Sequence, residues 1–273
     1  MTRVDPATED RSAEVAFAQM EFEQVDARLD GDRILVVGGY GGLGAQISRT
    51  LADAGARVAV AGRRLGRATE LANGLPGGLG LECDVTDPDS AAAAVAATTT
   101  AFGGIEALVN CAGSLSVTPS LAMDQETLRD TVESNLLGAF TIAQAAGRVM
   151  ARQGGGRIIQ VTSVRAYAGT RTGFAAYGAA KAGVNQLVRQ FATEWAEHGI
   201  LVNGVAPGFV ATEFVATPQH DAALVERIRS RIPMGRLARP VEIAGAVLFL
   251  CSQLSSFVTG QVIAIDGGVT ASQ

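Results

Sequence analysis

Residues 34–44 read Ile-Leu-Val-Val-Gly-Gly-Tyr-Gly-Gly-Leu-Gly. The four apolar residues are typical of a buried strand, and the five glycines that follow predict a tight turn into a helix. The glycines fit two spacings, Gly39-x-Gly41-x-x-Gly44 and Gly38-x-x-x-Gly42-x-Gly44. Both spacings let backbone N–H groups approach a pyrophosphate at the N-terminus of the next helix. The stretch therefore predicts a dinucleotide site that includes Gly38, Tyr40, Gly41, Gly42, Leu43 and Gly44.

Beyond this turn, short apolar runs alternate with helical patterns as far as residue 265. The predicted strands are 34–37, 57–61, 79–83, 107–110, 157–162, 201–205 and 262–265, and the predicted helices lie near 43–54, 65–73, 87–101, 124–151, 175–197 and 240–251. Strands that are apolar on both faces and separated by helices belong to parallel sheets with right-handed crossovers. The pattern predicts an α/β fold, a doubly wound, Rossmann-like parallel sheet of seven strands.

The domain boundaries follow from where this rhythm is absent. Residues 208–239 lack it, so we interpret them as a small helical lid inserted over the strand ends. Residues 29–273 are predicted to form a single domain, because 273 residues fit one large α/β unit. Residues 1–28 are predicted to be an acidic N-terminal arm. Apolar residues at helical spacing between Val15 and Leu29 favour an amphipathic helix in that arm.

Composition excludes several classes of protein. With 48% hydrophobic and 18% charged residues, the chain is not globally disordered. No apolar run reaches the length of a membrane span and no secretory signal is visible, so we expect a cytoplasmic protein without a membrane partner. Three scattered cysteines and two histidines give no metal-ligand pattern. Residues 1–33 account for the whole net charge of −5, which leaves no basic stripe for nucleic acid.

The end of the second predicted strand bears on the choice of dinucleotide. An NAD site usually has an acidic residue there for the ribose 2′-hydroxyl. This chain has Arg63 and Arg64 instead, which can hold a 2′-phosphate through charge-assisted hydrogen bonds. The alternative is a pair of solvated arginines at a helix start. We therefore favour NADP(H), with NAD(H) as the second possibility.

Polar residues follow three other predicted strands, where ligands bind in open parallel sheets. Asp84 follows the third strand, either as an acceptor for adenine or as a turn carboxylate. Asn110 ends the fourth, and the small residues Ala112 and Gly113 after it leave space for a ribose. Ser163 follows the fifth strand, either as a donor to a carbonyl oxygen or as an ordinary turn serine.

The composition singles out one basic residue. Of the 22 basic residues, Lys181 is the only lysine. A general preference for arginine explains the scarcity of lysine but not the exception, since a site that needs a compact ammonium cannot use a planar guanidinium.

Lys181 is also four residues after Tyr177 on a predicted helix, so the two side chains share a face. A neighbouring ammonium lowers the pKa of a phenol and makes it a usable general acid/base.

With these motifs the chain resembles the short-chain dehydrogenase/reductase family, of the compact, roughly 250-residue, 3-oxoacyl-reductase-like type, from about residue 29 to residue 269. The matching motifs are Gly38-x-x-x-Gly42-x-Gly44, Asp84, Asn110-Cys111-Ala112-Gly113, Asn135-Leu136-Leu137-Gly138, Ser163, Tyr177-x-x-x-Lys181, Pro207-Gly208 with Thr212, and the C-terminal stretch from Gly235 to Gly268. The resemblance implies a homotetramer or homodimer built on the two longest helices.

The resemblance also implies the residue roles. Tyr177 would exchange a proton with the substrate oxygen, and Lys181 would lower the pKa of Tyr177 and bind the nicotinamide ribose. Ser163 would polarise the carbonyl, and Asn135 would anchor a water linking Lys181 to solvent. Implied cofactor contacts are Val85, Pro207, Gly208, Val210 and Thr212, in addition to those named above.

One departure from the family pattern concerns the substrate. The segment from Ser163 to Tyr177 is one residue longer than expected, so its Arg165, Tyr167, Arg171 and Phe174 are candidates to shape an individual pocket.

The sequence thus predicts an NADP-dependent oxidoreductase that interconverts a ketone and a secondary alcohol, with a small carbonyl or alcohol as its partner. The resemblance favours a 3-oxoacyl thioester as the ketone. Two alternatives stay open, an NAD(H)-dependent polyol, steroid or aromatic-alcohol dehydrogenase and a non-catalytic nucleotide-binding regulator.

Overall fold

The computed structural model describes residues 25–171, 173–212 and 222–272, with the side chains of 222–224 outside that description. Most of the N-terminal arm, including its predicted amphipathic helix up to residue 24, lies outside the described residues, as does the middle of the predicted lid. Within the described residues, no helix combines the length and the apolar character needed to cross a membrane.

The predicted seven-stranded parallel sheet is confirmed. Its strands are β1 Arg33–Val37, β2 Arg57–Gly62, β3 Leu79–Glu82, β4 Ala107–Asn110, β5 Gly156–Val161, β6 Ile200–Pro207 and β7 Val262–Ile265. They pair in the order β3-β2-β1-β4-β5-β6-β7, and every pairing is parallel.

Helices cover both faces of this sheet. They are α1 Gly42–Asp53, α2 Leu65–Asn73, α3 Pro88–Phe102, α4 Gln125–Val132, α5 Gly138–Gln153, α6 Ala175–Glu194, α7 Ala222–Arg229 and α8 Pro240–Cys251. The single helix predicted near 124–151 is α4 and α5 joined by a π-helical turn, Glu133–Leu137. Helix α7 lies within the segment predicted as a helical lid.

The core consists of two apolar layers, one on each face of the sheet. Side chains of a strand alternate between faces, so Ile34 and Val36 of β1 belong to one layer, and Leu35 and Val37 to the other. All four are fully buried. This burial from both sides explains why the strands are nearly continuous runs of apolar residues.

The sheet order places a ligand crevice between β1 and β4, where the direction of winding reverses. The two loops that follow these strands are in close contact. Gly38 has φ of +73°, and a β-carbon there would lie 2.9 Å from the backbone of Cys111 and of Ala112. Only glycine fits this position, which brings the first turn next to the predicted ribose site.

Candidate active site

The glycine turn presents an open helix N-terminus at the crevice. No side chain caps α1, whose N-cap residue is Gly41, so its first N–H groups are left for a ligand. The turn is too tight for side chains, since a β-carbon on Gly44 would collide with the carbonyl oxygen of Gly38. Backbone donors at a helix N-terminus suit a pyrophosphate.

The segment after β6 lies across this turn. A β-carbon on Gly42 would be 3.4 Å from the β-carbon of Thr212, and Val210 forms a bridge with Ala238 that holds the segment in place. Pro207 ends β6, and Gly208 is packed against Asp266. The structure therefore brings Pro207, Gly208, Val210 and Thr212 to the same edge as the glycine turn, as the sequence predicts.

Tyr40 and two arginines lie at the end of β2. The phenol oxygen of Tyr40 accepts a hydrogen bond from the backbone N–H of Arg64 at 3.1 Å, and its ring lies against Gly62. The side chains of Arg63 and Arg64 are exposed, and neither forms an ion pair within the described residues. Both guanidinium groups are therefore available to an anion at this end of the crevice.

Asp84 serves the local turn and retains one carboxylate oxygen for a ligand. Its Oδ1 accepts hydrogen bonds from the backbone N–H and the hydroxyl of Thr86, at 3.0 and 2.7 Å. Partial burial opposes its ionisation, but the bonds from Thr86 and the charge of Arg63 hold its pKa below the ordinary value. The next residue, Val85, is buried against Gly138 at the π-helical turn.

The side chain of Asn110 is occupied by the protein itself. Its Nδ2 donates to Oε1 of Gln160 at 2.8 Å, and its Oδ1 accepts from the backbone N–H of Ala112 at 3.0 Å. The amide thus fixes the turn after β4, and any contact with a ribose in this loop falls to the backbone of Ala112 and Gly113.

Asn135 lies on the π-helical turn between α4 and α5. Its Nδ2 donates to the carbonyl oxygens of Ser114 and Thr131, at 2.8 and 2.9 Å. Its Oδ1 is buried without a hydrogen-bond partner. Buried acceptors rarely stay unpaired in native proteins, so this atom marks a place for a water or a ligand donor.

Lys181 reaches the same place from α6. It is 5% exposed, and its Nζ donates to the carbonyl oxygen of Val161 at 3.0 Å. A β-carbon on Gly113 would lie 2.5 Å from Oδ1 of Asn135 and 3.5 Å from Nζ of Lys181. The structure therefore brings Asn135, Lys181 and the glycine of the fourth strand's loop into one buried polar centre. Burial lowers the pKa of Lys181 to about 8.

Replacing Lys181 by methionine is expected to change how stability depends on pH. The folded pKa of about 8 lies below the ordinary 10.5, so between these values the folded chain binds fewer protons and its stability rises with pH. The free energy of unfolding of the wild type minus that of Lys181→Met should therefore increase by about 2 kcal/mol between pH 7 and pH 10. Urea unfolding of both dinucleotide-free proteins measures this gain. A difference that stays constant across the two pH values would contradict it.

Tyr177 and Ser163 complete the site. The Nζ of Lys181 lies 5.8 Å from the centre of the Tyr177 ring, as their spacing on α6 requires. Burial raises the pKa of Tyr177, while a hydrogen bond with Ser163 and the charge of Arg165 act to lower it. Arg165 is thus a cationic influence on this phenol that the spacing on α6 does not predict. The effect of Lys181 on the pKa of Tyr177 stays a prediction, with its Nζ bonded to the carbonyl oxygen of Val161.

The described residues fit a nicotinamide dinucleotide. The uncapped start of α1, the glycine at position 38 and the unpaired Oδ1 of Asn135 follow one edge of the sheet, from β1 to β4. Exposed arginines lie at the end of β2 for a phosphate, and the Tyr177–Ser163 pair lies at the other end of this line. Sequence reasoning missed two features. One is the π-helical turn, for which the sequence carries no period. The other is the effect of Arg165 on Tyr177, since the sequence singles out Arg165 only as a pocket residue.

The fold and this site define a dinucleotide-dependent oxidoreductase. The chain matches the family model described as "Enoyl-(Acyl carrier protein) reductase" over residues 38–270. It is 38% identical to galactitol 2-dehydrogenase (L-tagatose-forming) of Cereibacter sphaeroides, covering 89% of this chain and 96% of the relative. It is 37% identical to a 3-oxoacyl-[acyl-carrier-protein] reductase of Vibrio cholerae, covering 88% and 98%.

Solved structures agree. A gluconate 5-dehydrogenase from Burkholderia cenocepacia, in complex with NADP and tartrate, superposes with a TM-score of 0.85 at 35% identity, covering 90% of this chain and 98% of that one. The chain belongs to the short-chain dehydrogenase/reductase family. It is an NAD(P)-dependent oxidoreductase that acts on CH–OH groups.

Proposed function

We propose that this protein is an NADP(H)-dependent oxidoreductase that interconverts a ketone and a secondary alcohol, with Tyr177 as the general acid/base. The observation that carries this proposal is the placement of the Tyr177 phenol next to the Ser163 hydroxyl, on the helix face whose buried amine is Lys181. The Ser163 hydroxyl can donate a hydrogen bond to a carbonyl oxygen, and the adjacent Tyr177 phenol can donate a proton to the same oxygen.

Each residue has a defined part in this reaction. The nicotinamide supplies or accepts a hydride when bound. In the reductive direction Tyr177 donates its phenolic proton to the substrate oxygen, and Ser163 donates a hydrogen bond that orients the same oxygen. The Lys181 ammonium favours the phenolate that results, since an opposite charge stabilises an anion. Oδ1 of Asn135 accepts a hydrogen bond from a water that connects Lys181 to solvent.

The preference for NADP(H) rests on the end of β2. The exposed Arg63 and Arg64 follow this strand and no acidic residue is present for a ribose 2′-hydroxyl. The NADP complex of the similar gluconate 5-dehydrogenase supports the same choice.

Replacing Arg63 by alanine is expected to raise the KM for NADPH about 10- to 100-fold, since a charge-assisted hydrogen bond to phosphate is lost. The KM for NADH should change by less than about threefold, because no 2′-phosphate is present. Steady-state kinetics with both dinucleotides measures the two effects. Arg152→Ala is the matched control, since Arg152 is exposed near the end of α5, at the opposite edge of the sheet. An equal loss with both dinucleotides would overturn the assignment of Arg63.

The substrate class has two leading candidates, each supported by a relative. The similarity to galactitol 2-dehydrogenase favours a polyol or its ketose, and the similarity to a 3-oxoacyl reductase favours a 3-oxoacyl thioester. A turnover screen of ketoses, simple ketones and 3-oxoacyl thioesters, with NADPH and NADH in parallel, separates them. Dinucleotide binding without turnover of any carbonyl or alcohol would favour the non-catalytic regulator instead.

We also propose that the protein forms a homotetramer or homodimer through α5 and α6. Leu137, the last residue of the π-helical turn, and Phe140, near the start of α5, are 47% and 38% exposed. Large exposed apolar side chains on one helix surface favour association. The cytoplasmic location stays a prediction from the sequence.

A further inference from the structure

Two aromatic rings hold Arg165 beside the catalytic pair, Ser163 and Tyr177. Its guanidinium carbon lies 5.0 Å from the ring centre of Phe174 and 5.2 Å from that of Phe209, distances that suit cation–π contacts. Its backbone N–H donates to Oγ of Ser163 at 3.2 Å. The side chain is half-buried, so the protein fixes this cation over the site from two separate segments, the loop after β5 and the loop after β6.

No described acidic residue neutralises this cation. None of the ion pairs within the described residues includes Arg165. Desolvation and the neighbouring Arg231 lower the pKa of Arg165, and only the phenolate form of Tyr177 acts to raise it. A partly desolvated guanidinium next to a second cation is unfavourable unless something negative joins it.

Arg165 lines a cavity of about 480 Å³ whose wall contains a second cation, Arg171. Its lining includes Arg165, Arg171, Ser120, Thr170, Phe174 and Gly178, and among its described lining residues there is no Asp or Glu. Arg165 connects this cavity to the catalytic residues, because it lines the cavity, its backbone N–H donates to Oγ of Ser163 and its charge acts on Tyr177. The cavity wall thus combines two cations, hydroxyl groups and an aromatic ring, which suits a polar, negatively charged molecule.

We propose that Arg165 is the specificity-determining residue of this enzyme and binds an anionic group, a carboxylate or a phosphate, on the substrate. The planar guanidinium offers paired N–H donors that match either group. The rings of Phe174 and Phe209 hold the guanidinium in place. An anionic group bound there would therefore also position the carbonyl of the same substrate against Ser163 and Tyr177. This inference rests on the proposed ketone reduction and adds the charge of the substrate to it.

The test compares charged ketones with neutral counterparts. The carboxylate arm uses 4-oxopentanoate, 5-oxohexanoate and 6-oxoheptanoate against their methyl esters, and the phosphate arm uses dihydroxyacetone phosphate against dihydroxyacetone. The wild type should reduce the best anion with kcat/KM at least about tenfold above that of its neutral counterpart, since a charge-assisted contact is worth about 10- to 100-fold. The arm that shows this preference identifies the anion.

Variants assign the preference to Arg165. Arg165→Met should remove at least about tenfold of the anion-to-neutral ratio, mainly through KM, while the exposed Arg152→Met keeps the ratio. Arg165→Lys should recover only part of it, because lysine lacks the planar fork. Any effect of Arg165 on the pKa of Tyr177 changes kcat/KM for the anion and for its neutral counterpart alike, so it does not change the anion-to-neutral ratio. A wild type without preference for an anion, or an Arg165→Met that slows both members of a pair equally, overturns the inference.

A failure of the proposed function is distinguishable. If neither anions nor neutral ketones are reduced, the ketone reductase proposal fails, and calorimetric titration with 5-hydroxyhexanoate and with glycerol 3-phosphate then tests the anion site alone. Binding of either to the wild type, weakened at least about tenfold in Arg165→Met, upholds the site. Equal binding by both proteins, or no binding by the wild type, overturns it.

Discussion

Phenylalanine in place of Tyr177 is expected to lower kcat/KM by about 10²- to 10⁴-fold, the usual contribution of a positioned general acid/base. The substitution removes one hydroxyl and keeps the ring, which packs edge-on against Phe174 with ring centres 6.3 Å apart. Because the ring stays in place, the fold and the dinucleotide site should survive. The loss should appear mainly in kcat, since the proton moves only during the chemical step.

Three measurements separate this effect from misfolding. Steady-state kinetics gives the loss, thermal unfolding shows that the variant is folded, and fluorescence titration with NADPH shows that it binds the dinucleotide. Ser163→Ala, which removes the hydrogen-bond partner of the phenol, should lose activity as well. A Tyr177→Phe enzyme with activity within about threefold of the wild type would mean that another group moves the proton.

The sheet could be predicted from the sequence because its strands are buried on both faces. Continuous apolar runs bounded by glycine and polar residues locate them, and β4 and β7 begin and end at the predicted residues. The predicted end of β6, residue 205, was two residues short, since Ala206 and Pro207 still pair with β7. Proline is usually a sign that a strand has ended, and Pro207 is indeed the last residue of β6.

The candidate site could be predicted in part, because the carboxyl ends of parallel strands meet at one edge. That rule brings Ser163, Asn110 and the glycine turn together from sequence positions far apart. It does not say which polar atoms the protein uses for itself. The amide of Asn110 is taken up by Gln160, 50 residues later, and no local pattern reports such a contact.

The electrostatics of Tyr177 were outside the reach of sequence spacing. The spacing of α6 correctly places Lys181 on the same helix face, yet the amine turns to the carbonyl of Val161 on β5. Arg165, whose guanidinium contacts the rings of Phe174 and Phe209, adds a cationic influence on the phenol from a separate loop. Tertiary contacts of this kind decide a pKa, and they are set by the folded chain as a whole.

Arginine in place of Lys181 is expected to lower kcat/KM by at least about 100-fold, although both side chains are cations. Lys181 is 5% exposed, and a β-carbon on Gly113 would lie 3.5 Å from its Nζ. A planar guanidinium is larger than the ammonium and has a different shape, so it does not fit this buried place in the same way. It would displace the bond to Val161 and the approach to Asn135, so both the ribose contact and the charge near Tyr177 would be misplaced.

The alternative is that Lys181 is an ordinary cation in a chain that uses arginine at its other 21 basic positions, in which case Lys181→Arg would be nearly silent. Kinetics decides between the two, with Arg152→Lys as a control for the exchange at an exposed site. The double variant with Tyr177→Phe sharpens the test. Residues that act as a unit do not contribute additively. The kcat/KM of the double variant should therefore be close to that of the less active of the two single variants. Losses that multiply would show that Lys181 acts independently of the proton transfer, through the fold or the dinucleotide alone.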